Sequence, residues 1–69
     1  MPTGTVKYWS IEKGYGFIKP DDGGADLFVH ISNCADGIEG LPVGAHVQFN
    51  TRPSRKADRD EAYDVVICG

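Results

Sequence analysis

Two short stretches, Tyr15–Lys19 and Asp26–Ile31, constrain this chain more than any other feature. Between them runs Pro20-Asp21-Asp22-Gly23-Gly24, a dense turn signal, so the pair predicts a β-hairpin. Side chains alternate across a strand. One parity collects Ile18, Leu27, Val29 and Ile31, an aliphatic set suited to a core. The other collects Tyr15, Phe17, Phe28 and His30, with Lys19 beside them. A chain of 69 residues encloses one small interior and cannot bury both faces of its central hairpin. The ring-bearing face is therefore expected to be largely exposed to water. A single Phe in a strand is more often core. Four rings opposite a complete aliphatic set reverse that preference and mark a binding patch.

The rest of the chain repeats the pattern of short strands and turns. Gly4–Ser10, Ala45–Thr51 and Ala62–Ile67 read as three further strands. A long connection covers Ser32–Gly44, with one short helical turn expected near Ser32–Ala35, and a charged loop covers Arg52–Asp60. No window sustains a helical period of apolar residues. Nine glycines and four prolines fit frequent turns. The expected fold is all-β, a five-stranded antiparallel barrel over residues 1–69 as a single domain, because closure removes exposed sheet edges.

Several functions are set aside by the residues at hand. No apolar run approaches the ~20 residues of a membrane span. The opening Met1-Pro2-Thr3-Gly4 lacks the basic and apolar regions of a signal peptide, so a cytoplasmic protein is expected. Cys34 and Cys68 form no CxxC pair and are expected as free thiols in a reducing compartment. Together with His30 and His46 they lack the short paired spacings of zinc sites, so no metal is expected. No Ser/His/Asp set is evident, and Gly14-Tyr15-Gly16 lacks the third glycine and following helix of a dinucleotide site. The chain is expected to be no enzyme, with no cofactor, no small-molecule substrate and no membrane partner, and to be a monomer.

What remains is binding. Each unpaired base stacked on an aromatic side chain contributes roughly 1–3 kcal/mol, whereas duplex bases already stack on one another. Single-stranded RNA and DNA are the expected partners. The net charge of −3 counts against a binder that relies on phosphate neutralisation alone. Lys7, Lys13 and Lys19 are placed to meet phosphates, and Arg55 and Lys56, with Arg52 and Arg59, extend a basic edge that Asp58, Asp60 and Glu61 dilute. A solvated charged turn explains that late loop equally well. The competing class is an SH3-like barrel whose rings grip a peptide. It accounts for the rings and the acidic balance, but not for a glycine-aromatic motif set among lysines.

Lys13-Gly14-Tyr15-Gly16-Phe17-Ile18 resembles the first ribonucleoprotein motif, and Leu27-Phe28-Val29-His30-Ile31-Ser32 resembles the second in its cold-shock form. Their order is the reverse of that in RNA-recognition-motif domains, and the intervening helices are absent. From about Gly4 to Ile67 the chain is similar to bacterial cold-shock proteins, including Gly4-Thr5-Val6-Lys7-Tyr8-Trp9 and Leu41-Pro42-Val43-Gly44. The resemblance implies an OB-type barrel. It also implies single-strand binding with modest preference, often for pyrimidines, and RNA-chaperone or antitermination activity in the cold. It implies contacts from Lys7, Tyr8, Lys13, Tyr15, Phe17, Phe28 and His30.

This sequence departs from that pattern in places. Tyr8 stands where the family usually has Trp, and Trp9 where it usually has Phe. Ile31 and Ile38 stand where aromatics are common, and Asp60-Glu61-Ala62-Tyr63-Asp64 replaces a neutral segment. A smaller platform and weaker binding follow. Strict alternation puts Tyr8 on the face of Val6 and Trp9 on the face of Lys7. A bulge in the first strand would bring both rings to the surface, so Tyr8 and Trp9 both stand as candidates.

Overall fold

The computed structural model describes residues 2–35, 37–54 and 59–68. Arg55 and Lys56, named above as part of the basic edge, lie outside the described residues. The strands are β1 (Thr3–Ser10), β2 (Tyr15–Pro20), β3 (Leu27–His30), β4 (His46–Pro53) and β5 (Asp60–Ile67), with one 3₁₀ turn over Ile31–Asn33. They close a barrel in the order β1-β2-β3-β5-β4.

Four of the five junctions are antiparallel, and β3 meets β5 in parallel at Phe28 and Glu61. The expectation of a wholly antiparallel barrel is corrected here, for a topological reason. Strand directions cannot alternate all the way round a closed ring of five, so one junction must be parallel. The same two chain directions meet again where Cys34 bridges Val65.

The interior holds Val6, Ile18, Leu27, Val29, Leu41, Val47, Phe49, Ala62 and Val65. Phe49, fully buried, is the largest of them. Full burial of such a side chain contributes about 1.5–3 kcal/mol. Ile31, expected in this aliphatic set, is only partly buried. It opens the 3₁₀ turn, and strand alternation stops one residue before it.

Gly16 shows why the motif carries a glycine between its rings. It faces inward beneath β1, where a Cβ would collide with the Tyr8 carbonyl and the Trp9 backbone. Gly14 ends the β1–β2 turn at φ 70°, a left-handed conformation that glycine takes without a Cβ penalty.

Candidate nucleic-acid interface

The position of each ring follows from strand register. Tyr15 pairs with His30 and Phe17 with Phe28 across β2 and β3, while the aliphatic Ile18 and Leu27 pair on the inner face. The first strand joins this face through a bulge. Val6 pairs with Ile18, Tyr8 pairs with Phe17, and Lys7 is the extra residue between them. The bulge changes parity, so Val6 points inward and Tyr8 outward. Tyr8 is 48% exposed, with its ring centroid 6.2 Å from that of Phe17.

Trp9 faces the other way. It pairs with the inward-facing Gly16, and its ring is partly buried against the core. One inserted residue shifts parity once, so it turns Tyr8 out and necessarily turns its neighbour in.

The outward rings form a continuous cluster. Centroid separations are 6.4 Å for Tyr15–Phe17, 5.5 Å for Tyr15–Phe28 and 6.0 Å for Phe17–Phe28. Tyr15, Phe17, Phe28 and His30 are each partly buried rather than largely exposed, because the rings shield one another. The patch lies outside the barrel interior.

His30 is oriented by its own turn. Its Nδ1 accepts the Ser32 N–H at 3.2 Å and lies 2.9 Å from the Ser32 hydroxyl. A neutral ring that accepts at Nδ1 carries its proton on Nε2 and presents a donor there.

Cations ring this face unequally. Lys13 is exposed in the β1–β2 turn, and Lys19 is exposed on β2 with the parity of Phe17. Lys7 is exposed, but its Nζ is 2.9 Å from Asp26 Oδ2. Arg59 places its guanidinium 5.0 Å from the Phe17 ring centre, a cation–π contact. In sequence Arg59 is only one charge of the late loop. Its sole signal there is a basic residue one position before β5.

A cleft of about 450 Å³ adjoins Phe28 and His30 and continues to Ser32, Asn33, Arg52, Pro53 and Glu61. Its far wall is a fixed network. Arg52 Nε donates to Glu61 Oε2 at 2.8 Å, Asn33 Nδ2 donates to the same oxygen at 3.1 Å, and the Arg52 guanidinium lies 4.7 Å from the Tyr63 ring centre. Arg52, before all else, holds the Glu61 carboxyl below its usual range. Arg52 therefore serves Glu61 and Tyr63 before any phosphate. A second cleft, of about 460 Å³, carries Asp22, Asp26 and Asp60 beside Arg59 on its wall, a net negative lining that disfavours a phosphate backbone.

A closed five-stranded barrel with outward rings on its first three strands defines a class of small nucleic-acid-binding domains of the OB type. The comparisons with known proteins are specific. Residues 2–68 match the model of the 'Cold-shock' DNA-binding domain. The chain is 44% identical over 63 residues to the probable cold shock protein y4cH of Sinorhizobium fredii, covering 90% of this chain and 91% of that one. It is 46% identical over 57 residues to the probable cold shock protein A of Mycolicibacterium smegmatis, covering 81% and 85%. In fold it matches drosophila Unr CSD456 with a TM-score of 0.78 at 20% identity, over 99% of this chain and 26% of that one. The chain belongs to the cold-shock domain family, and its function is that of a nucleic-acid-binding cold-shock protein.

Proposed function

We propose that the outer face of β1, β2 and β3 binds single-stranded RNA and DNA by base stacking on Tyr8, Tyr15, Phe17 and Phe28. The observation that carries this reading is the inside-outside division of one hairpin, with aliphatic side chains in the barrel and touching rings outside it. His30 offers a hydrogen bond beside the stacked bases. Lys13 and Lys19 meet phosphates, and Lys7 does so on leaving Asp26. Arg59 lies over Phe17 and either yields that ring to a base or stacks on the base in turn. The protein acts as a binding protein rather than a catalyst, as a cytoplasmic monomer, by holding RNA single strands open in the cold.

Stacking on three or four rings supplies on the order of 4–10 kcal/mol before ordering costs. That magnitude supports binding by an acidic chain. Membership of a DNA-binding family weighs against the peptide-gripping alternative. The test is a titration of labelled oligothymidine, matched RNA and matched duplex, followed by anisotropy at low salt. Binding of both single strands with weak duplex binding is expected. Equal affinity for duplex and single strand would sink the stacking mechanism.

A further inference from the structure

A second cluster of chemically active side chains sits outside the ring face, assembled from three separate chain segments. Cys68 Sγ lies 3.5 Å from His46 Nδ1. On the other side of that imidazole, His46 Nε2 lies 2.9 Å from Asp21 Oδ2, and the same oxygen accepts the Thr3 hydroxyl at 2.6 Å. The backbone holds the thiol in place. The Cys68 N–H donates to the His46 carbonyl at 2.9 Å, one step beyond the Val47–Ile67 pair of β4 and β5.

The proton positions follow from what each group can do. An ionised carboxylate only accepts hydrogen bonds. The His46 hydrogen bond, first among the causes, lowers the Asp21 carboxyl below its ordinary value, so it is ionised at neutral pH. His46 must then donate from Nε2, and in the neutral ring the lone pair on Nδ1 faces the thiol. A nucleophile, a base within hydrogen-bond reach and a third group orienting that base form the signature of an activated thiol.

We propose that Cys68 is a thiol-modification site for small soluble disulfides, with His46 as its general base and Asp21 as a positioning residue. The step is an exchange. Nδ1 takes the S–H proton, and the Cys68 sulfur attacks one sulfur of the disulfide. The bond between the reagent's two sulfurs breaks as the new mixed disulfide forms, and the departing thiolate takes the proton back from Nδ1. Cys68 is oxidised, and half of the reagent is reduced to a thiol. The cluster is open to water, since the side chains of His46 and Asp21 are half exposed. An open site suits exchange, whose leaving group needs only a proton. Acyl transfer would also need donors around an oxyanion.

Cys34 is the built-in comparison. It is partly buried, burial pushes its thiol up, and its sulfur faces the His30 carbonyl at 3.8 Å rather than an imidazole.

The test is the reaction of the full chain with 4,4′-dithiodipyridine at pH 7. Thiopyridone release is followed by absorbance, and each cysteine is assigned by peptide mass spectrometry. Cys68 is expected to react faster than Cys34, and His46→Ala and His46→Gln are each expected to slow Cys68 roughly tenfold, through its smaller thiolate fraction, while leaving Cys34 unchanged. Asp21→Asn is expected to slow Cys68, because an amide can donate to Nε2 and turn a protonated Nδ1 toward the sulfur, and Asp21→Glu to recover part of the rate. Whichever variant keeps the wild-type melting transition supplies the decisive comparison. An unchanged Cys68 rate in that variant overturns the proposal.

Discussion

Tyr8 and Trp9 are neighbours in sequence and face opposite ways, and the same contrast separates the phenylalanines. Phe17 and Phe28 are partly exposed on the outer face, while Phe49 is fully enclosed. Phe17→Ala or Phe28→Ala is expected to weaken single-strand binding by about 1–3 kcal/mol with little change in melting temperature. Phe49→Ala is expected to cost about 3–5 kcal/mol of stability, read by urea denaturation, because it leaves a cavity in the core. Glu61 gives a pH prediction. Arg52 holds its folded-state carboxyl below the unfolded value, so the ionised pair stabilises the fold above the unfolded value, and that contribution is lost as pH falls through the lower folded one. Glu61→Gln should therefore melt below wild type at pH 7, and the gap should close on acidification below the usual carboxylate range of about 4. A gap that persists in acid would mean that Glu61 acts through packing instead.

Among the strands, β1 carries the decisive irregularity. Its bulge at Lys7 places Tyr8 outside the barrel while Val6 stays within it. The inward glycines of β1 and β2 let the two strands approach closely. A Cβ on Gly16 would meet the backbone of β1, and one on Gly4 would lie 2.6 Å from the Lys19 carbonyl oxygen. Neither obstacle is a flexible side-chain end that can swing aside. Gly16→Ala is accordingly expected to destabilise the protein by about 1–3 kcal/mol in chemical denaturation and to loosen the Tyr8–Phe17 contact. Wild-type stability in that variant would show that β1 can shift without cost. A second irregularity lies between Gln48 and Asn50 of β4, where Asp64 of β5 takes φ 53°. Asp tolerates that left-handed conformation better than a branched residue does.

For the molecule as a whole, charge and stacking must be weighed together. A net charge of −3 opposes a polyanion, and the described cations near the rings are few. The logarithm of affinity should fall with the logarithm of salt at about −0.7 per phosphate contact, giving a shallow slope overall. A steep slope would show that charge rather than stacking supplies the affinity. The barrel is small, with a Cα radius of gyration of 10.5 Å, and the ring face and the Cys68–His46–Asp21 cluster occupy different parts of its surface.

The alternation of Tyr15–Ile18 and Leu27–His30 was enough to sort core from surface, because period-two patterning maps directly onto the two faces of a strand. The five strands and the connection between the third and fourth were legible for the same reason, as turn residues interrupt short β-favouring runs. Three things were not. The parallel β3–β5 junction follows from closing an odd ring, a property of the assembled barrel rather than of either strand. The choice between Tyr8 and Trp9 depended on one bulged residue, which local pattern permits but does not place. The Cys68–His46–Asp21 alignment joins residues far apart in the chain, brought together by strand pairing. Local chemistry writes the faces of each strand, whereas closure and register, which are long-range, decide which of those faces meet.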